Sequence, residues 1–298
     1  MIQGLYIDFK RLTIHDGPGL RSTLFMKGCP LHCLWCHNPE SIDSHPTLGF
    51  YADKCILCGN CTQVCDCHQI VNGRHLYDRD QCVACGKCAD VCPTQALELY
   101  GRPITVDEAM KMALSDRLFY HNSGGGVTVS GGEPLLQADF CAEFFERLHA
   151  DGIHTAVDTC GNVPWEAFVK VIPYTDLFLY DFKEADNAKH REYTGHGNKL
   201  ILKNLQRLDE AGCAIEIRMP LIPGLNDTDT DLNSAGEFLS RLKHLTGIRV
   251  LPYHGYAKNK YVAVGREFNL TGQCPPSADK MDAVKKCLQT HHLSILED

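Results

Sequence analysis

A chain of 298 residues with 44% hydrophobic and 22% charged residues has the makeup of an ordinary globular protein, long enough for a barrel-sized domain with a small insert. Its formal net charge of −8 excludes nucleic acid as a bulk partner, because a phosphate-binding surface needs an excess of Lys and Arg. No run approaches the roughly 18 consecutive apolar residues of a membrane span, and Met1 to Asp8 lack the basic region and apolar run of a signal peptide, so no membrane contact and a cytoplasmic location are expected.

Residues 1–27 read as a lead-in segment and a first strand. The turn His15-Asp16-Gly17-Pro18-Gly19 precedes Arg21-Ser22-Thr23-Leu24-Phe25-Met26-Lys27, whose β-branched and aromatic content is that of a strand. This strand runs into Cys29-x3-Cys33-x2-Cys36, three closely spaced cysteines with no fourth beside them. A structural zinc site takes four protein ligands, with thiolates in C-x2-C pairs. Three thiolates suit a [4Fe–4S] cluster with one iron left open, and an open iron can bind a substrate. On spacing alone, a zinc site completed by His32 or His37 remains the competing reading.

The chain carries 17 cysteines, which a reducing compartment would keep from pairing as disulfides, so metal ligation is their expected role. Within residues 48–100 lie Cys55-x2-Cys58-x2-Cys61-x3-Cys65 and Cys82-x2-Cys85-x2-Cys88-x3-Cys92-Pro93. Each is the bacterial ferredoxin run, in which three close thiolates hold one cluster and the fourth ligates the other. Cys55, Cys58, Cys61 and Cys92 are therefore expected to hold one [4Fe–4S] cluster, and Cys82, Cys85, Cys88 and Cys65 a second. Asp66 stands where a proline usually follows the first run, and Cys67 follows it, so Cys67 competes with Cys65 for that ligand position. A segment this short builds little apolar core, and metal ligation can supply its folding free energy.

After about residue 100 short apolar runs alternate with helical patterns. Strands are expected at Val127–Ser130, His154–Val157, Leu177–Tyr180, Ala214–Arg218 and Ile248–Leu251, with helices over Ala138–Ala150 and near Leu200–Ala211. Strands spaced by helices imply parallel βα units. With the strand before Cys29 there are six, short of the eight that close a full barrel. The expected fold is α/β: a partial (β/α)6 barrel formed by residues 1–47 and 101–298, with an inserted two-cluster ferredoxin-like domain at 48–100.

Active sites of βα barrels form at the C-terminal ends of the strands. Here those ends carry the Cys29 loop, Ser130-Gly131-Gly132-Glu133-Pro134, Asp158-Thr159-Cys160-Gly161, Asp181-Phe182-Lys183, Arg218-Met219-Pro220 and Pro252-Tyr253-His254. Each also has a plain reading: a turn at Gly131-Gly132, a cap at Asp158, an ion pair between Asp181 and Lys183, a satisfied histidine at His254. Two glycines allow close backbone approach to a ligand, and Glu133 can accept hydrogen bonds from an ammonium group. Polar groups at all six strand ends point to one site.

These motifs resemble those of the radical S-adenosylmethionine (SAM) superfamily, and more narrowly the activating enzymes of glycyl radical enzymes, relatives of pyruvate formate-lyase activating enzyme. The resemblance rests on residues 16–21, 27–40, 130–137, 158–161, 181–183 and 251–254, and spans nearly the whole chain. The cysteine-rich insert resembles that of the larger members. The resemblance implies that SAM chelates the open iron of the cluster on Cys29, Cys33 and Cys36. Trp35 would pack on the adenine, and Gly131, Gly132 and Glu133 would meet the amino group. Lys183, Arg218 and His254 match SAM-contacting positions. Asp158, Thr159 and Asp181, with the Leu179 carbonyl, match a site for a monovalent cation such as Na or K.

The implied reaction is reductive cleavage of SAM to a 5′-deoxyadenosyl radical, which takes hydrogen from a glycine Cα of a large partner enzyme. Such an oxidoreductase belongs to anaerobic metabolism. It would draw electrons from a flavodoxin- or ferredoxin-type reductant, relayed by the insert's clusters or not, and act as a monomer. The alternative is a radical SAM enzyme acting on a small molecule. Cys160 has no assigned role.

Overall fold

The computed structural model describes residues 2–270 and 272–297; Met1, Thr271 and Asp298, two of which bound the expected outer unit, lie outside the described residues. Strands β1 (Gln3–Thr13) and β2 (Arg21–Met26) come first, and β3 (Thr47–Phe50), β4 (His68–Val71), β5 (Arg74–Tyr77) and β6 (Leu97–Tyr100) lie in the cysteine-rich segment. Then follow β7 (Arg102–Thr105), β8 (Gly126–Gly131), β9 (His154–Thr159), β10 (Leu177–Asp181), β11 (Ile215–Leu221) and β12 (Leu245–Pro252).

Among the described residues one sheet has eight strands in the order β12-β11-β10-β9-β8-β2-β1-β7. From β2 to β12 the neighbours are parallel, and these are the six strands read from the sequence. Strands β1 and β7 extend the sheet antiparallel beyond β2. They were not expected, for physical reasons. Only Gly4 of β1 is buried, so the strand shows no apolar face. In β7, Pro103 cannot donate to a ladder and suits the edge position it occupies. The sheet stays open, with β12 and β7 as its edges.

The helices cover the outer face as their apolar spacing dictates. In Ala138–Ala150, Phe140, Cys141, Phe144, Phe145 and Leu148 are buried, and in Lys199–Glu210 so are Ile201, Leu205 and Leu208. Together with Val127, Val129, Val157, Phe178, Ile215 and Ile217 from the strands they form one continuous core.

Arg21, fully buried at the start of β2, donates to Thr128 Oγ1 at 2.7 Å and to the Val127 carbonyl at 2.7 Å. Burial lowers its pKa to about 10, so it stays charged while tying β2 to β8.

In the cysteine-rich segment β3 pairs antiparallel with β6, drawing residues 47 and 100 together, and β4 pairs with β5 as a hairpin. Its tip, Asn72-Gly73, has φ of 50° and 70°, the left-handed pair that a two-residue hairpin turn requires. The fully apolar part of this core is Leu48 and Leu97, beside Cys61 and Cys88. Among the described residues no helix is long and apolar enough to cross a membrane.

Candidate active site

The loop after β2 is held by backbone hydrogen bonds on both sides. Gly28 N–H donates to the Ser41 carbonyl at 2.7 Å and Cys29 N–H to Ile42 at 2.9 Å, while His32 and Leu34 donate to Thr194 and Tyr193. Lys27, buried, donates from Nζ to the Glu40 carbonyl at 2.7 Å. Lys260 binds the Glu40 carboxylate at 2.6 Å and Asn38 Oδ1 at 3.1 Å. With its backbone committed in this way, the loop presents Cys29, Cys33 and Cys36 to one cavity of about 370 Å³.

Gly131, Gly132, Asp158, Asp181, Lys183, Trp35 and His254 line that same cavity, so five of the six furnished strand ends reach it with a predicted residue. Lys183 Nζ lies 2.6 Å from Asp181 Oδ2. Burial works against the lysine charge, yet Asp181 and Cys33 hold its pKa well above the ordinary lysine range. Asp158 accepts from Ser130 Oγ at 2.6 Å, and burial raises its pKa to about 6 against the pull of Arg218. Burial likewise raises the Cys33 thiol to about 11 and Cys36 to about 12, so without metal both are neutral. Cys29 is pulled the other way by a hydrogen bond from Cys160.

Four predicted residues sit behind the wall rather than on it. Glu133 is fully buried, and its carboxylate accepts from Thr159 Oγ1 at 2.8 Å, Cys160 N–H at 2.8 Å and Leu135 N–H at 3.0 Å. Its oxygens are engaged by protein, and it braces β8 against β9. Thr159 is turned toward that carboxylate, and the Leu179 side chain packs with Ala156 and Leu177. Arg218 Nη1 stands 3.7 Å from Asp158 Oδ2 and 3.9 Å from Asp16 Oδ1, and Nη2 donates to the His15 carbonyl. It steadies the turn before β2.

Arg249 was not read from the sequence as a wall residue, whereas His37 was read as a competing zinc ligand and Cys160 as a strand-end residue without a role. Arg249, the partner of Arg218 in the β11–β12 ladder, lines the cavity; the register would have shown it, but register is not visible in one sequence. His37 stacks on His254 with ring centroids 4.0 Å apart and contacts the His254 carbonyl at 3.2 Å. Cys160 is buried on the cavity wall against Cys29.

Seven of the eight cysteines predicted for the insert fall into two groups. Cys55, Cys58, Cys61 and Cys92 line one pocket, so the last cysteine of the second run joins the first run. Cys65 packs against Cys82 and Cys88. Cys67 hydrogen-bonds to Cys65 and feels the charge of Cys82, which keeps it near that second group.

Residues 23–232 match the model of the radical SAM superfamily. The chain belongs to that superfamily. The benzylsuccinate synthase activating enzyme of Thauera aromatica is 40% identical over 304 residues, covering 98% of this chain and 91% of that protein. The trans-4-hydroxy-L-proline dehydratase activating enzyme of Clostridioides difficile is 41% identical over 295 residues, 97% of each. A domain of pyruvate-formate lyase-activating enzyme from Bacteroides vulgatus, of known structure, is 33% identical with a TM-score of 0.50, covering 58% of this chain and 98% of that one.

Radical SAM membership brings SAM and a [4Fe–4S] cluster, and the cavity suits them. Three thiols converge on it. Inward-facing His254 keeps a buried Nδ1 with no protein partner, as expected of an atom awaiting a polar ligand. Lys183 and the two carboxylates provide both signs of charge for a zwitterionic amino acid moiety.

Proposed function

We propose that this radical SAM protein activates a glycyl radical enzyme by abstracting hydrogen from one of its glycines. The observation that carries the reading is the convergence of Cys29, Cys33 and Cys36 with Lys183, Asp181 and His254 on one cavity at the C-terminal ends of the parallel strands. Support comes from relatives about 40% identical over nearly the whole chain, each named as the activating enzyme of another enzyme. When bound, the cluster supplies the electron that splits SAM. Cys29, Cys33 and Cys36 are proposed as its ligands, a three-thiolate set that keeps one coordination position for SAM.

The protein's own residues bind and orient. Lys183, held charged by Asp181, is placed to meet the SAM carboxylate, and the bare backbone at Gly131 and Gly132 its amino group. Trp35, on the cavity wall beside Cys36, offers an indole to the adenine. Glu133 and Arg218 act as positioning residues, through Cys160 and Asp158 respectively. A monovalent cation is proposed between Asp158 and Asp181, whose mutual repulsion at adjacent strand ends a cation would relieve, with Thr159 and Leu179 contributing backbone carbonyls.

We further propose that residues 48–100 form a ferredoxin-like unit inserted into the outer unit of 1–47 and 101–298. Its clusters would be held by Cys55, Cys58, Cys61 and Cys92, and by Cys82, Cys85, Cys88 and Cys65, and would relay electrons from a flavodoxin- or ferredoxin-type donor. Cys92 in one pocket with Cys55, Cys58 and Cys61, and Cys65 beside Cys82 and Cys88, support the pairing.

The test is anaerobic incubation with SAM, a reductant and a candidate glycyl radical enzyme, followed by electron paramagnetic resonance. A glycyl radical signal that depends on Cys29 is the expected result. Cleavage of SAM stimulated by a metabolite, with no radical on any protein, would establish a small-molecule substrate instead.

A further inference from the structure

The β4–β5 hairpin puts histidine chemistry against the first cysteine group. Its strands alternate, so His68 and Tyr77, paired across the ladder, share one face with His75, while Gln69, Arg74 and Leu76 face solvent. His75 lines the pocket of Cys55, Cys58, Cys61 and Cys92. Its Nδ1 lies 3.3 Å from Cys55 Sγ, and its Nε2 lies 3.0 Å from His68 Nδ1 and 3.8 Å from Cys61 Sγ. The His68 ring in turn stacks on Tyr77, with centroids 4.8 Å apart and planes 21° apart. Phe50 closes the other side of His75 at 4.4 Å between ring centroids.

This arrangement fixes the protons. An iron-bound thiolate carries no hydrogen, so the contact with Cys55 requires N–H at Nδ1 of His75. Nε2 of His75 lies nearer to His68 Nδ1, at 3.0 Å, than to Cys61 Sγ, at 3.8 Å, so its lone pair is assigned to the shorter contact, which requires N–H at His68 Nδ1. What remains is a lone pair on His68 Nε2, and that atom is buried without a partner. The chain of contacts therefore runs in one direction, from His68 through His75 to the thiolate.

We propose that His75, oriented by His68, is the hydrogen-bond donor that sets the reduction potential of the cluster held by Cys55, Cys58, Cys61 and Cys92. The inference rests on reading those cysteines as cluster ligands. Reduction adds negative charge to a cluster, and a donor aimed at a ligand sulfur stabilises the added charge, so its presence raises the potential. Tyr77 and Phe50 serve the same end by packing the two rings in place. His75 and His68 are thus positioning residues for electron entry. On the second group the side-chain donor is instead the Tyr77 hydroxyl, which hydrogen-bonds to Cys82.

The test is a redox titration of the full-length, iron-loaded protein, followed by electron paramagnetic resonance of each cluster, with iron content measured alongside. His75→Leu is expected to keep full iron content and to shift one cluster's reduction equilibrium about tenfold toward the oxidised form, about 59 mV lower for one electron. His75→Asn, whose side-chain N–H₂ falls near the Nδ1 position, is expected to restore most of the potential. His68→Phe, which keeps the stack and loses the hydrogen bond, should give a smaller fall in the same cluster.

Full iron content with an unmoved potential in His75→Leu overturns the role of His75 alone. Loss of one cluster's iron in that variant makes His75 a ligand and overturns its role as donor. A parent protein that binds only one cluster's iron overturns the reading of the insert together with this one.

Discussion

Gly132 lies against Gly28 so closely that a Cβ at position 132 would overlap the Gly28 carbonyl oxygen and stand 3.1 Å from Cys29 Cβ. The two glycines join the end of β8 to the loop that carries the three cysteines, and Glu133 N–H donates to that same carbonyl at 2.7 Å. Close approach here serves backbone against backbone as well as the cavity.

Gly132→Ala should therefore displace Cys29 while leaving the distant core intact. The expected outcome is a folded protein, with an unchanged far-ultraviolet circular dichroism spectrum, that cleaves SAM about 100-fold more slowly, the scale of loss that a misplacement near 1 Å produces. Wild-type cleavage rates with dithionite as reductant would show the close approach to be dispensable.

Lys183 and Asp181 form a pair whose side chains are 10% and 25% exposed, so water screens them little. Removing the lysine charge leaves Asp181 facing Asp158 without its partner and takes away a cation proposed to hold the SAM carboxylate. Lys183→Met is expected to weaken SAM binding by about tenfold or more, measured by equilibrium dialysis, with iron content unchanged. A loss of iron with intact affinity would assign Lys183 to the cluster instead.

His154 marks the opposite end of the strands, where its Nδ1 lies 3.2 Å from Arg21 Nη1 and must accept. Burial, and then the Arg21 charge, lower its pKa, with Asp176 opposing. The unfolded chain thus takes up a proton more readily than the folded one, and stability present above the ordinary histidine pKa is lost as pH falls below about 6.5. The slope is at most about 1.4 kcal/mol per pH unit. His154→Asn, which keeps an acceptor for Arg21, should flatten the difference in urea stability between pH 7.5 and pH 6. An equally steep fall in the variant would place the proton uptake elsewhere.

What was legible in the sequence follows from what constrains it. The strands β8 to β12 could be read directly, because their two buried faces leave short apolar runs, and the convergence of Cys29, Cys33 and Cys36 followed from their close spacing on one loop. Strand β1 escaped because its exposed and half-buried residues alternate without an apolar side. The β4–β5 hairpin carried a readable Asn72-Gly73 turn, but its strands are only four residues long and leave Ile70, Val71 and Leu76 exposed, so no buried apolar face marks them. The roles of Glu133 and Arg218 were not legible, since a strand end can be located from sequence while the side of the loop that a side chain takes cannot. Both turn behind the wall toward partners there, Glu133 to buried Thr159 and Arg218 to the His15 carbonyl.

Arg79 is the strap between the cysteine-rich segment and the strand-end loops. It follows β5, packs its guanidinium 4.8 Å from the Tyr77 ring centroid, and donates to the Leu48 carbonyl at 3.2 Å. Its other Nη donates to the carbonyls of Ala263 at 2.6 Å and Val262 at 3.4 Å, at the end of the helix Lys258–Ala263. The same helix supplies Lys260, which holds Glu40 beside the Cys36 loop. A single planar fork thus spans three carbonyls, of Leu48, Val262 and Ala263, which an ammonium group cannot reproduce. Arg79→Lys and Arg79→Ala should both keep their iron and bind SAM normally, yet expose the 68–77 hairpin to limited proteolysis. Both should also slow reduction of the Cys29 cluster by a protein donor, the alanine variant by about tenfold. Stopped-flow reduction decides the matter: with dithionite, which needs no relay, rates should match the parent, and equal rates with the protein donor as well would mean that Arg79 fastens nothing the electrons use.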